Sequence, residues 1–215
     1  MLVACWSSKG GSGTTVVAVS LAVLLARRTS EGALLADLAG DCAAALGLPE
    51  PSGPGLAGWL GAGDEVPADA LSRLEEPAGP GLSLVPRGSG ALSPGRADVL
   101  TALLAADARP VVADCGAEPS GAALAVAAGA TRCVLVTRAC FLSLRRALSA
   151  PLRPSEIVLV TEPGRSLGRL DVEDCLGAPV VAEVAVDPKV ARAVDSGLLA
   201  TRLPRSLARE LDRAA

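Results

Sequence analysis

The stretch LVACWSSKGGSGTTVVAVSLAVLLARR, residues 2–28, decides the fold. Leu2–Trp6 is an apolar run typical of a buried β-strand, and Thr15–Arg28 is a mostly apolar segment typical of a helix packed on a sheet. A glycine-rich turn joins the two. A strand, such a turn and a helix in this order gather main-chain N–H groups at a helix N-terminus, where the helix dipole adds partial positive charge. The stretch therefore predicts an anion site made by the backbone of Gly10–Thr15.

The turn also carries residue types that a phosphate site needs. Gly10, Gly11 and Gly13 allow backbone conformations and close approaches that a Cβ would block. Thr15 supplies a hydroxyl where coordination of Mg²⁺ needs one. The match to the plain phosphate-loop pattern GxxxxGK[ST] is partial, with two replacements: Ser8 at the first glycine and Thr14 at the lysine.

Apolar runs alternate with helix-compatible segments along the rest of the chain. Several runs are apolar on both faces, as expected for strands buried in a parallel sheet. We therefore predict one α/β domain over residues 1–215, with a doubly wound, mostly parallel sheet of about seven strands and helices on both faces. The predicted strands are Leu2–Trp6, Ala33–Ala36, Leu82–Val85, Val111–Ala113, Cys133–Val136, Ile157–Val160 and Val180–Val184.

Charge and apolar patterning limit the partners and the compartment. A net charge of −3 and a pI near 5.1 give no broad attraction to nucleic acid or anionic lipid. The apolar run Val16–Ala26 is too short to span a bilayer. The six cysteines are scattered without CxxC spacing, which indicates reduced thiols in a cytoplasmic protein.

Two residue types are missing, and each absence excludes a class of chemistry. The chain has no histidine, which excludes Ser-His and Cys-His catalytic pairs and His-ligated metals. It has no tyrosine, which excludes the Tyr-Lys proton-transfer pair of short-chain reductases.

The segment Leu203–Arg213 has a leucine at every fourth position, with arginines beside this apolar stripe. The pattern predicts a terminal helix that docks on the core. Peripheral contact with a membrane surface or with DNA is the alternative, although the apolar face is narrow and carries no aromatic anchor.

The segment KGGSGTT, residues 9–15, resembles the deviant Walker A motif KGGxGK[ST] of the MinD/ParA family of P-loop ATPases. In that family the early lysine, matched by Lys9, reaches across a homodimer to the partner's nucleotide. The chain has only one other lysine, Lys189. The place of Lys9 in the glycine turn therefore favours a specific role for it. The resemblance implies ATP and Mg²⁺ as ligands, and these residues as their site: Gly10, Gly11, Ser12, Gly13, Thr14 and Thr15 for nucleotide, and Thr15 with Asp114 for the metal.

The resemblance extends over nearly the whole chain. LLADLAGD (34–41) resembles the second strand with its switch I acidic motif, and PVVADCG (110–116) resembles a Walker B strand ending at Asp114. VLVTRACFLSLRRA (134–147) and VAVDPKVARAVDSGLL (184–199) resemble later segments. Order and spacing are most similar to the CpaE/TadZ branch, which helps to localise Tad-type pilus machinery. This implies a nucleotide-dependent homodimer with a protein partner in a secretion or positioning system.

The chain departs from the family pattern at positions that serve hydrolysis. Asp37 is the candidate catalytic carboxylate with Lys9, but the second carboxylate of the usual DxD is replaced by Ala39, unless Asp41 substitutes. Thr14 removes a lysine whose charge-assisted hydrogen bond is worth about 1.5–3 kcal/mol, so binding would weaken roughly 10- to 100-fold. A positioned cation can be worth about 10³–10⁵ in phosphoryl transfer. We therefore expect ATP binding with slow or absent hydrolysis.

Other interpretations remain open at this stage. One is a nucleotide-blind scaffold that keeps the fold to bind proteins, and another is a chromosome- or plasmid-partitioning ATPase. A third is a nicotinamide-dependent oxidoreductase, in which Gly11-Ser12-Gly13 would belong to a dinucleotide-binding motif and Asp37 would bind the ribose. Val16 fits that motif poorly. An ATP-dependent ligase of the same superfamily would need a complete catalytic loop, which Thr14 argues against.

Overall fold

The computed structural model describes residues 1–63, 66–67 and 69–215, and its centre is an eight-stranded sheet in the order β3-β4-β2-β5-β1-β6-β7-β8. β3 and β4 pair antiparallel, and every other pairing in the sheet is parallel. The strands are β1 (Leu2–Ser7), β2 (Ala33–Asp37), β3 (Glu76–Gly79), β4 (Leu82–Val85), β5 (Val111–Ala117), β6 (Arg132–Arg138), β7 (Glu156–Thr161) and β8 (Val180–Ala185).

Helices cover both faces of this sheet. Short 3₁₀ turns at Ser72–Leu74 and Pro94–Arg96 join some of the elements. The helices are α1 (Thr14–Arg28), α2 (Cys42–Leu46), α3 (Gly55–Gly61), α4 (Ala97–Ala106), α5 (Gly121–Gly129), α6 (Phe141–Ser149), α7 (Arg169–Leu176), α8 (Pro188–Asp195) and α9 (Arg205–Leu211).

The side-chain alternation of β1 divides the core into two layers. Leu2, Ala4 and Trp6 pack into the layer that holds α3 to α7, whereas Val3 and Cys5 pack under α1, α2 and α9. Every residue of β1 is buried, which is why the strand is apolar on both faces. The prediction of a doubly wound, mostly parallel α/β sheet is confirmed.

The sheet has one strand more than the predicted count of about seven. The additional strand, β3, has the sequence EPAG and lies at the edge of the sheet. Proline cannot donate a ladder hydrogen bond, but it is tolerated in edge strands. Because Pro77 argues against a strand in the sequence, β3 was not predicted.

The terminal segment folds as predicted into a docked helix. α9 begins after Pro204, and Leu207 and Leu211 are fully buried against the core. Arg28 at the end of α1 forms an ion pair with Asp212 at 2.7 Å. The apolar stripe is therefore used within the fold.

Two further findings bear on the sequence interpretation. All six cysteines are free thiols. Within the described part of the chain, no helix has the length and apolarity needed to cross a membrane.

The topology fixes where a ligand can bind. β1 lies between β5 and β6, whereas the next strand along the chain, β2, lies beyond β5. The chain therefore changes direction at β1, and in such sheets ligands bind at the carboxyl ends of the strands beside this point. The glycine turn after β1 lies at that edge.

Candidate functional site

The glycine turn has open space in front of it. Gly11 and Gly13 have φ values of +73° and +90°, in the left-handed region that favours glycine. A Cβ built on Gly10, Gly11 or Gly13 would meet no other atom within 4 Å. The hydroxyls of Ser7 and Ser12 each donate to the Lys9 carbonyl at 3.0 Å. These two bonds hold the loop in its shape.

The amides of this loop are free to bind an anion. Among the described residues, the first main-chain N–H of the α1 region with a protein acceptor is that of Val17, which donates to the Gly13 carbonyl at 3.0 Å. The N–H groups of residues 10–16 are thus available, together with the partial positive charge of the helix N-terminus. α1 is fifteen residues long, and its first turn carries no acidic side chain that would compete with an anion.

The loop forms one wall of a cavity of about 670 Å³, a size typical of small-molecule sites. Leu38, Ala39, Asp41 and Arg87 form a second part of the wall, and residues 115–121 form a third. The cavity is therefore bounded by the loops that follow β1, β2, β4 and β5, all at one edge of the sheet.

Asp114 lies buried in the middle of β5, next to Thr15 at the start of α1. Its Oδ1 accepts a hydrogen bond from the Gly116 amide at 3.0 Å, and its Oδ2 accepts one from the Cys42 thiol at 3.6 Å. Burial raises the pKa of the Asp114 carboxyl to about 6, although the Thr15 hydroxyl and the Gly116 amide favour the ionised form. The structure thus brings together Thr15 and Asp114, the pair that the sequence predicted for a metal.

The Asp37 carboxylate accepts hydrogen bonds from the main chain of the loop that follows it. Its Oδ1 accepts from the amides of Ala39 at 3.0 Å and Gly40 at 2.6 Å, and its Oδ2 accepts from the Cys42 amide at 3.0 Å. Burial raises the pKa of this carboxyl, and the three amides act in the opposite direction. Asp37 does not line the cavity, whereas the exposed Asp41 does.

Asp37, Cys42 and Asp114 form a compact buried group. One ligand atom from each lies within 4.8 Å of the other two. Burial raises the pKa of the Cys42 thiol well above its usual value, so the sulfur stays protonated and donates to Asp114. In this arrangement the group works as a polar connection between β5, which carries Asp114, and the segment from the end of β2 to the start of α2, which carries Asp37 and Cys42.

Lys9 does not line the cavity formed by its own loop. Its charge lies on the side of Glu162, whose pKa is lowered first by the hydrogen bond from Arg165 and to a smaller extent by Arg138, Arg165 and Lys9. Thr14 does line the cavity and is buried. The position where a P-loop has its lysine is therefore neutral in this cavity.

Sequence reasoning missed two residues that the fold brings to this site. Cys42 joins Asp37 and Asp114, and Arg87 adds a guanidinium to the cavity wall. The signal for Arg87 was its place directly after Val85 and Pro86, at the carboxyl end of a predicted strand. Cys42 had no comparable signal, because an isolated cysteine is usually a small core residue.

The fold is similar to that of solved MinD and ParA proteins. A ParA family ATPase from Chlorobium tepidum TLS aligns with a TM-score of 0.78 and 21% identity, covering 98% of this chain and 95% of that one. The septum site-determining protein MinD of Pyrococcus horikoshii OT3, complexed with Mg-ADP, aligns with a TM-score of 0.78 and 19% identity, covering 99% and 94%.

A third similar structure, from the MinC:MinD cell division protein complex of Aquifex aeolicus, has a TM-score of 0.76 and 19% identity, with 98% and 95% covered. No protein-family model matches the chain, and no curated protein matches it significantly. The chain therefore has the fold of the MinD/ParA ATPases.

Proposed function

We propose that this chain is a MinD/ParA-like switch that binds ATP with Mg²⁺ in the cavity after β1. The observation that carries the proposal is the loop of residues 10–15, whose N–H groups lack protein acceptors among the described residues and whose glycines leave open space before them. Such a loop at a helix N-terminus suits a phosphate chain. Mg-ADP in the similar MinD structure supports the same ligand class.

The residues have distinct roles in this proposal. Gly10, Gly11, Ser12, Gly13, Thr14 and Thr15 bind the phosphates through main-chain N–H groups. The Thr15 hydroxyl and the Asp114 carboxylate hold Mg²⁺, either directly or through water. The bound metal would neutralise phosphate charge. Asp114 must be ionised for this role, and its pKa of about 6 makes the charged form the major one near neutral pH.

Hydrolysis in this proposal is slow or absent. Thr14 offers a neutral hydroxyl where a catalytic P-loop has a cation, and Ala39 offers no carboxylate to position water. Among the described residues, the main-chain N–H groups that donate to Asp37 are those of Ala39, Gly40 and Cys42, in the segment that directly follows it. Asp41 lines the cavity and is the remaining carboxylate of that loop.

Nucleotide binding would favour a homodimer in which Lys9 of each subunit reaches the other subunit's phosphates. This is consistent with Lys9 lying outside the cavity of its own subunit. In the cytoplasm the dimer would bind a protein partner and position an assembly such as Tad/Flp pilus machinery. Support comes from the resemblance to the CpaE/TadZ branch and from the MinC:MinD complex among the similar structures.

Calorimetry tests nucleotide binding. Titration with Mg-ATP should give a saturable heat that is lost in EDTA. No heat at millimolar nucleotide would contradict the proposal and favour the second candidate, a nucleotide-blind scaffold. Two observations favour the scaffold: Thr14 stands where a P-loop has its lysine, and the Asp37 carboxylate accepts hydrogen bonds from amides of its own loop.

Sedimentation tests the dimer. A non-hydrolysable ATP analogue should raise the mass of the wild type from monomer to dimer. The increase should disappear in Lys9→Ala and persist in Lys189→Ala, which removes the chain's other lysine. An unchanged wild-type mass, or an equal effect of both variants, would contradict the dimer switch.

A further inference from the structure

The cavity contains one positive side chain, and it is not a lysine. Among the lining residues, all of which the structure describes, Arg87 is the only cation, while Asp41 and Glu118 contribute negative charge. Arg87 follows β4, which pairs in parallel with β2, so its backbone lies at the edge where the glycine loop opens.

Arg87 is held in place by main-chain groups. Its Nε donates to the Leu38 carbonyl at 3.3 Å, and its Nη1 donates to the Gly90 carbonyl at 3.0 Å. Its stem passes close to Gly40, where an added Cβ would lie 3.3 Å from the Arg87 Cδ. These contacts fix the guanidinium beside the loop that follows β2.

The contacts leave part of the guanidinium unused. Arginine has five N–H donors, and the hydrogen bonds of Arg87 within the described residues use Nε and Nη1 and go to neutral carbonyls. The half-buried charge thus has no carboxylate compensating it among the hydrogen-bonded partners that are described. A planar guanidinium with free donors matches phosphate oxygens, which it can bind in bidentate fashion.

We propose that Arg87 binds the phosphate chain of the nucleotide and supplies, from within the same subunit, the positive charge that Thr14 lacks. The inference rests on the proposed function, because it assumes that the phosphates lie against the glycine loop. The ligand class is a nucleoside polyphosphate. Since Arg87 also holds the Leu38 carbonyl, phosphate binding would fix the loop of residues 38–41 at the same time.

The test is the affinity for Mg-ATP, and for inorganic tripolyphosphate as a probe of the phosphate contact alone. Arg87→Met should weaken binding of both ligands by about 10- to 100-fold, as expected for loss of a charge-assisted hydrogen bond. Arg87→Lys should retain most of the affinity. Arg73→Met is the matched control, because it makes the same change in net charge at an exposed arginine that pairs with Asp69, and it should bind like the wild type. Thermal melting verifies that each variant is folded.

A lysine at position 14 separates direct contact from a structural effect. If Arg87 supplies the missing charge, Thr14→Lys should restore the affinity of Arg87→Met, because the new ammonium replaces the lost cation. The contrary result is that Thr14→Lys strengthens binding in the wild type but does not restore the affinity of Arg87→Met. Arg87 would then act through the loop of residues 38–41, and the proposal would be wrong.

The remaining outcomes distinguish the two proposals. Equal affinity of Arg87→Met and the wild type would overturn the role of Arg87 and leave nucleotide binding intact. No binding by the wild type would overturn the proposed function, and the inference about Arg87 with it.

Discussion

The loops after β1 and β2 face the same cavity but use their backbone groups differently. Among the described residues, no protein group accepts from the N–H groups of residues 10–16 in the loop after β1. The hydroxyls of Ser7 and Ser12 donate to the Lys9 carbonyl, and that of Ser8 donates to the Ser143 carbonyl. The loop after β2 binds its own carboxylate, since Asp37 accepts from three amides between residues 39 and 42. The first loop is organised to bind a ligand and the second to hold itself together. Under the proposed function, the first loop binds the phosphates and the second loop, whose carboxylate is held by its own amides, has a structural role.

The largest effect should come from filling the cradle. Gly13→Val adds a side chain to the open face and forces a left-handed φ that costs about 1–2 kcal/mol for a residue with a Cβ. Because the side chain would also block contacts between the loop amides and the phosphates, we expect Gly13→Val to bind Mg-ATP roughly 100-fold more weakly. Calorimetry measures it.

Gly164→Val is the matched control for this change. Gly164 has a φ of +81° and open space around it, but it does not line the cavity. The Gly164→Val variant should lose about as much stability as Gly13→Val, and its affinity for Mg-ATP should equal that of the wild type. Normal binding by Gly13→Val would show that the loop is not a cradle.

The second prediction concerns pH and the buried Asp114. Its pKa is about 6 in the folded protein against 3.8 for the free group. The folded state therefore binds this proton more tightly, so the contribution to stability is present below about pH 4 and is lost as pH rises through about 6. The loss is on the order of 2–3 kcal/mol.

Chemical denaturation of the metal-free protein across this range measures the effect. Asp114→Asn cannot ionise, so its free energy of unfolding should fall less than that of the wild type as pH rises from about 4 to 7. Parallel pH profiles for the two proteins would contradict the assigned environment of Asp114.

Asp37 provides the third prediction. Asp37→Ala leaves the amides of Ala39, Gly40 and Cys42 without their acceptor, and it should destabilise the protein by about 2 kcal/mol. Asp41→Ala, at an exposed position of the same loop, should stay within about 0.5 kcal/mol. Urea denaturation compares the two variants, and equal midpoints would mean that Asp37 does not organise this loop.

The smallest effect should come from restoring the missing lysine. Thr14→Lys places an ammonium in the cavity beside the phosphate cradle, so it should strengthen Mg-ATP binding about tenfold. A neutral result in calorimetry would mean that position 14 does not face the phosphates.

The sequence predicted the sheet and the glycine loop because both depend on local patterns. Apolar runs bounded by turns indicated the strands, and a helix after a glycine turn indicated the loop that we propose as the anion site. It did not predict β3, because Pro77 opposes a strand unless the strand lies at an edge, and edge position is a property of the whole sheet.

The remaining parts of the site depend on contacts distant in sequence. Whether the carboxylate of Asp37 points into the cavity or back to its own amides is decided by the path of residues 38–42. Arg87 reaches the cavity because β4 lies beside β2, a pairing that spans about fifty residues. No local pattern carries that information, so the engaged state of Asp37 and the position of Arg87 had to come from the fold.

A crystal structure with Mg²⁺ and a non-hydrolysable ATP analogue would show directly whether the glycine loop binds the phosphates. We expect phosphate oxygens within hydrogen-bonding distance of the N–H groups of residues 10–15, with Lys9 of the partner subunit directed at them. An empty loop at saturating nucleotide, in a monomer whose Lys9 extends into solvent, would contradict this expectation.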